Sequence, residues 1–254
     1  MNTKDFRQDF NKLLSKFKQG EHFAFTRFSD GELRIMQNTE LKLDKDHNVV
    51  LGKKNTAPYA SENYKHFIPS QHSFYRNKLM EAYQFKKHNY YVGLSCGCCV
   101  GGQDFQQMLD WYEGDTNSEF LTWSNLMLNG NYDEYKQHFI PEFSKRKVVI
   151  ICNENAQIEN LPFTPVKDFR VGPYCFVNDY GLIDTVKNWI KDNNIKDHVF
   201  LVSAASLSEL LIHQLFEVNN DNTYIDIGST LNNYLNIDSN RGYLRGDNRK
   251  MCVW

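Results

Sequence analysis

The feature that most constrains this chain is an alternation, from residue 90 onward, of short apolar runs with stretches of helical period. YYVGL (90–94) precedes a glycine-rich loop and a predicted helix over 103–112; EFLTW (119–123) precedes a helix around 132–139. KVVIIC (147–152) precedes a loop and a short strand near 166–171, and the helix predicted over 179–192 turns Leu182, Val186, Trp189 and Ile190 inward. HVFLVS (198–203) leads into a helix over 206–217, and TYIDIG (223–228) into a last helical turn. Strands this apolar are covered on both faces, and strands separated by helices run parallel. The expected fold is therefore α/β, a Rossmann-like, mostly parallel sheet with helices on both faces.

The first third adds to that frame. Phe6, Phe10, Leu13, Leu14 and Phe17 mark one face of a helix that stops at Gly20. An apolar run over 22–28 and a helix over 31–37 follow. Residues 41–52 read as a small hairpin insertion with its turn near 46–48. Residues 58–87 read as two helices broken near Pro69, with Phe74, Leu79 and Tyr83 facing inward. No repeat, low-complexity run or linker divides the chain, so 1–254 is expected to be a single domain. Its tail, 236–254, is irregular and carries Arg241, Arg245, Arg249 and Lys250; it reads as a solvated terminus or as a strap over a diphosphate.

Composition narrows the partners. The 254 residues are 41% hydrophobic and 14% aromatic, enough for a sizeable core. Lys+Arg number 29 against 31 Asp+Glu, a net charge of −2, which argues against nucleic acid as a partner. No stretch approaches the ~20 apolar residues of a membrane span, and the polar start MNTKDFRQDF resembles no targeting signal. Six scattered cysteines point to reduced thiols and a cytoplasmic protein, with peripheral membrane association left open.

Parallel sheets bind ligands at the carboxyl ends of their strands, so the loops after each strand carry the functional argument. The run HFAFTRF enters Ser29-Asp30-Gly31-Glu32. Asp30 and Glu32, separated by one glycine, can both reach a hard cation such as Mg²⁺ or Mn²⁺. The same residues fit a helix capping box, Ser29 with Glu32, with Asp30 favouring the helix dipole; the two readings are compatible. Arg27 can pair with a phosphate or hold a carboxylate. Asp226 ends an apolar strand before Gly228 and Ser229; it either caps the next turn or acts at the same crevice, as a base on an acceptor hydroxyl or by orienting a nucleotide. Asn125 and Asn129 flank a loop where turn chemistry and ligand contact explain them equally well. The loop Ser95-Cys96-Gly97-Cys98-Cys99-Val100-Gly101-Gly102 matches no Walker or dinucleotide fingerprint. Its three cysteines lack a second ligand pair at zinc spacing and read as small buried thiols, with a phosphate-facing wall as the other reading.

FTRFSDGEL resembles the signature of the GT-D-type glycosyltransferases, an Arg-x-x-Asp-Gly-Glu segment containing a DxE element. TWSN (122–125), NGNY (129–132), KVVIICNEN (147–155) and TYIDIGSTLNNYL (223–235) resemble further blocks of that family in the same order, so the likeness spans most of the chain. The resemblance implies a metal-dependent hexosyl transfer from a nucleoside diphosphate sugar, a UDP-sugar by analogy, to a glycan, glycoprotein or glycolipid hydroxyl. It makes Asp30 and Glu32 the DxE pair on a divalent metal (Mn²⁺ or Mg²⁺) and the diphosphate, with Arg27 as a fixed positive charge nearby; it strengthens Asp226 as a third catalytic candidate without assigning its role. Arg27, Asn125 and Ser229 are the candidate substrate contacts, and a homo-oligomer is compatible with this reading. One departure is Ala204-Ala205-Ser206, where relatives are expected to carry a more glycine-rich loop. Two rival functions use the same residues: a metal-dependent phosphohydrolase or phosphotransferase, and a non-catalytic nucleotide- or sugar-binding module.

Overall fold

The computed structural model describes residues 5–44, 48–50, 53–54, 64–239 and 241–246. Helix α1 (Phe6–Gln19) buries the five predicted apolar residues and ends where Gly20 turns left-handed, φ +78°. Strand β1 (Ala24–Phe28) and helix α2 (Asp30–Met36) follow. Next come β2 (Leu41–Leu43), β3 (Asn48–Val50), β4 (Lys53–Lys54) and β5 (Lys65–Phe67). The chain continues through α3 (Pro69–Gln84), β6 (Tyr90–Leu94), α4 (Gly97–Val100), α5 (Gly102–Trp111), β7 (Leu121–Trp123), α6 (Tyr132–His138) and α7 (Ile140–Phe143). The last stretch holds β8 (Lys147–Asn153), β9 (Lys167–Val171), α8 (Cys175–Asn178), α9 (Leu182–Asp192), β10 (His198–Val202), α10 (Leu207–Val218), β11 (Thr223–Asp226) and α11 (Gly242–Arg245).

Seven strands form one parallel sheet in the order β7-β6-β1-β11-β10-β8-β9. The fold is Rossmann-like α/β, with helices flanking the sheet. Strands β1, β6 and β11 are buried at every position, as a sheet covered on both sides requires. Helix α10 packs on β1 and β11 with α3 and α9 beside it, and its apolar residues are buried nearly all round. Helix α1 packs against β7, where Phe6 stacks on Trp123, and reaches Phe139 and Phe143 through Phe10 and Phe17. From β1 the chain builds outward to β6 and β7, then crosses to the other half. The strand order thus reverses between β1 and β11, and that switch point is where a parallel sheet opens a ligand crevice.

The insertion is larger than the predicted hairpin. Strands β2 and β3 pair antiparallel, Leu41 opposite Val50, and β4 and β5 extend them to a four-stranded sheet, β4-β3-β2-β5. The segment before Pro69 is strand β5 rather than a helix. A residue preceding proline is driven out of the α region, and Ile68 is extended at φ −114°, ψ 112°. Pro69 opens the single helix α3, which is kinked at His72. Leu79 and Tyr83 are buried as expected, but Phe74 is half exposed, edge-on to Tyr75 and Tyr180. The predictions for residues 45–47, 51–52, 58–63, 240 and 247–254 fall outside the described residues.

Candidate active site

A cleft runs along the carboxyl ends of β1, β11, β10, β8 and β9, where five strands deliver their following loops. At the switch point, Arg27 near the end of β1 faces Asp226 at the end of β11. The guanidinium Nη1 lies 3.6 Å from Asp226 Oδ1, with the residues 8% and 4% exposed. Arg27 Nε also donates to the carbonyl of Ser124, and Asp226 accepts the N–H of Gly228 at 2.8 Å. Gly228 lies at φ +48°, and a side chain there would run into the Arg27 guanidinium. The glycine therefore serves both the turn and the ion pair.

The second ion pair comes from the insertion. Lys65 on β5 places Nζ 2.6 Å from Glu32 Oε1 and donates to Ser206 Oγ at 2.6 Å, while Ser206 Oγ donates to the same Glu32 oxygen. Glu32 Oε2 accepts the N–H of Ser29 at 3.1 Å, completing the capping box at the start of α2. Burial alone would raise the Glu32 carboxyl. The charge and hydrogen bond of Lys65, with Ser206 and the Ser29 N–H, outweigh it and pull the value down to about 2. A Cβ on Gly31 would sit 2.5 Å from Lys65 Nζ, so the ammonium would have to shift to admit a side chain there.

A third carboxylate lies behind these pairs. Glu209, in the first turn of α10, is buried, and its Oε2 has no hydrogen-bond partner. Burial pushes its carboxyl well above the ordinary range, and the charges of Glu32 and Asp226 push it further. Burial raises Asp226 as well, against the pull of Arg27 and Gly228, and a hydrogen bond from Glu209 helps to hold it down. The cleft thus sets Arg27, Lys65 and Arg241 against the carboxyls of Asp30, Glu32, Glu209 and Asp226, with no excess of positive charge.

The structure gathers Arg27, Asp30, Glu32, Asp226 and Ser229 around this cleft. Ser229 shares a hydrogen bond of 2.7 Å with Tyr243. Asn125 does not line the cleft. It is buried behind it, and its Nδ2 approaches the sulfurs of Cys96 and Cys99 at 3.9 and 4.0 Å. The cysteine loop lies outside the cleft too, and only Cys96 of its three thiols is buried. Of the tail, Arg241 reaches the lining. Lys65 and Glu209 went unread in the sequence. A pre-proline strand signal at Ile68 and a lone carboxylate inside the apolar run LSELLIHQLF were the available clues.

A hard divalent cation takes one or two carboxylates together with substrate phosphates. Asp30 is exposed at the cleft and makes no hydrogen bond among the described residues, so it fits such an ion. Glu32 already accepts from the Lys65 ammonium and from two further donors, Ser206 and Ser29, and anchors Lys65.

Tyr64 and Tyr174 also line the cleft, their ring centroids 5.8 Å apart, and offer aromatic surface for a flat ring. The loop expected to differ from relatives is strained: Ala205 adopts φ +45°, a region that favours glycine.

No protein-family model and no curated protein sequence matches the chain. Among solved structures it is similar to a selenomethionine-substituted structure of the domain of unknown function 1792 (DUF1792), with TM-score 0.58 and 14% identity. That likeness covers 98% of this chain and 89% of the other. A second structure of that domain, described as having a distinct glycosyltransferase fold, matches with TM-score 0.57 and 13% identity over the same shares. At this identity the likeness is one of fold, and the fold this chain adopts is the one described there as a distinct glycosyltransferase fold.

Proposed function

We propose that the chain is a glycosyltransferase that takes a nucleoside diphosphate sugar at the β1–β11 switch point and passes the sugar to a glycan or glycoconjugate hydroxyl. The observation that carries this reading is the pairing of two buried cations, Arg27 and Lys65, with carboxylates on the loops of a fold shared with a domain described as a glycosyltransferase fold. A cleft with no net positive charge suits a diphosphate that arrives with a divalent cation, because the two together are close to neutral. Asp30 would hold that Mn²⁺ or Mg²⁺ ion, which supplies charge neutralisation at the departing diphosphate. Arg27 and Lys65 fix positive charge beside the phosphates. Tyr64 and Tyr174 support the base, taken to be uracil by analogy, and Ser229 is a further donor contact. Asp226, made more basic by burial, accepts the proton of the acceptor hydroxyl. The bond from the anomeric carbon to the phosphate oxygen breaks as the bond to the acceptor oxygen forms, and the nucleoside diphosphate leaves with the electron pair.

One observation favours a second reading, the non-catalytic binding module. Glu32, half of the DxE pair, is used structurally as a helix cap and lysine anchor. Release of nucleoside diphosphate from a panel of sugar nucleotides, with and without glycan acceptors, separates the readings. A transferase gives release that rises with one acceptor class and falls by about 10²-fold or more in Asp226→Asn. Release indifferent to acceptor points to a phosphohydrolase, and no release at all leaves the binding module.

A further inference from the structure

Outside the cleft, at the carboxyl end of β6, the turn from Cys96 to Cys99 folds three thiols onto one another. Cys96 Sγ lies 2.7 Å from Cys98 Sγ and 3.4 Å from Cys99 Sγ, and all three sulfurs fall within 4.8 Å. Three sulfurs sharing one zinc ion at about 2.3 Å stand roughly 3.8 Å apart; the separations from Cys96 are shorter than that, so the exposed Cys98 and Cys99 side chains must swing outward to admit an ion. The turn is fixed by backbone bonds from the Cys99 and Val100 N–H groups to the Cys96 carbonyl. The turn brings Cys99, three residues on, over Cys96, and the Cys98 sulfur also closes on Cys96. Cys96 is the buried floor of the cluster, while Cys98 and Cys99 open to solvent and give an ion a way in.

A second observation points to a ligand. Asn125 is 4% exposed, and its Nδ2 faces Cys96 and Cys99 while its Oδ1 has no hydrogen-bond partner. An amide donor beside sulfur is the kind of outer contact that steadies metal-bound thiolates, and an unsatisfied buried carbonyl oxygen has a use beside a metal-bound water.

We propose that Cys96, Cys98 and Cys99 form a three-thiolate site for a soft d¹⁰ cation of the zinc class, with the fourth coordination position open to water or an exogenous ligand. Binding exchanges thiol protons for the metal: three S–H bonds give up their protons to buffer as three metal–sulfur bonds form, with no change in oxidation state. The thiols Cys152 and Cys175 take no part. Both are buried, and burial pushes them up to about 11 and about 12, which makes them internal controls for thiol reactivity.

The test is titration of the reduced full chain with Co²⁺ and then Zn²⁺. It is read as a thiolate-to-cobalt charge-transfer band and, in parallel, as alkylation of each cysteine by mass spectrometry. The expected result is one Co²⁺ per chain, displaced by Zn²⁺, with Zn²⁺ protecting Cys98 and Cys99 from alkylation. Cys98→Ser/Cys99→Ser, changed at two exposed positions, should keep its unfolding midpoint and lose the band. No band in the natural protein, or a band of equal strength in that double variant, overturns the assignment.

Discussion

Arg27 and Asp226 meet across two neighbouring strands of the parallel sheet, whereas Lys65 reaches Glu32 from an antiparallel sheet inserted between α2 and α3. The first pair sits on a buried, doubly covered scaffold, at a separation of 3.6 Å that is an ion pair without a direct hydrogen bond. The second is in direct hydrogen-bond contact at 2.6 Å and depends on the insertion keeping its place over Gly31. Two central strands of a sheet can fix opposite charges by backbone position alone, without a direct hydrogen bond between them. An inserted element must grip its partner to stay docked. The same contrast separates positioning within the core from positioning by an appendage, and each can be broken on its own.

The largest effect is expected from Arg27→Met. It strands the buried Asp226 carboxylate beside Glu209 and cuts the tie to Ser124, and it should cost about 3–5 kcal/mol in denaturant unfolding. A cost below 1 kcal/mol would mean that the sheet pair carries no such role. Lys65→Met should cost less, about 2–3 kcal/mol, because Glu32 keeps the Ser29 N–H and Ser206 bonds. The pair also has an acid signature. Glu32 titrates near 2 in the folded chain against an ordinary 4.5, so its contribution is complete above about 4.5 and drains away as pH falls through 2. That acid-side loss should shrink in Lys65→Met and persist in Arg27→Met, and equal acid profiles would erase the contrast between the pairs.

Glu209 works in the opposite sense. Its folded carboxyl lies above the ordinary range, so with rising pH the unfolded chain ionises before the folded one does and stability falls. Glu209→Gln should leave the midpoint near its natural value at pH 4 and raise it progressively toward pH 8. A midpoint gain independent of pH would contradict a protonated Glu209. The smallest effect is at the loop after β10, where Ala205→Gly relieves the left-handed strain and should stabilise by at most about 1 kcal/mol. A loss there would show that the Ala205 methyl packs more than it strains.

Local chemistry explains which parts were legible beforehand. The α1 face with its Gly20 stop and the Ser29–Glu32 cap are each set by residues close along the chain, and the inner parallel strands announce themselves by near-continuous apolarity, which the outer strand β9, KDFRV, lacks. Arg27, Asp30 and Asp226 were readable because strand ends in such sheets converge. The partners of those residues were not. Lys65 comes from a strand that resembled a helix until the proline rule is applied, and it meets Glu32 across 33 residues. Glu209 resembles a helix-dipole acid, and only tertiary burial by β1, α3 and α9 makes it a proton holder. Asn125 resembled a ligand contact on a loop, but its side chain turns away from the cleft to the thiols, a direction that sequence spacing does not encode.

The central claim, that the β1–β11 cleft takes a nucleoside diphosphate together with a divalent cation, is tested most directly by thermal unfolding with UDP, GDP, dTDP and CMP. Each is measured with Mn²⁺, with Mg²⁺ and with EDTA. Ligand at 100 times its dissociation constant adds about 2.7 kcal/mol, a rise of roughly 5–10 °C for a chain of this size. The account predicts such a rise for one nucleoside diphosphate, UDP by analogy, that is abolished by EDTA and lost in Arg27→Met relative to that variant's own baseline. No rise with any nucleotide, or a rise that EDTA leaves unchanged, would contradict it.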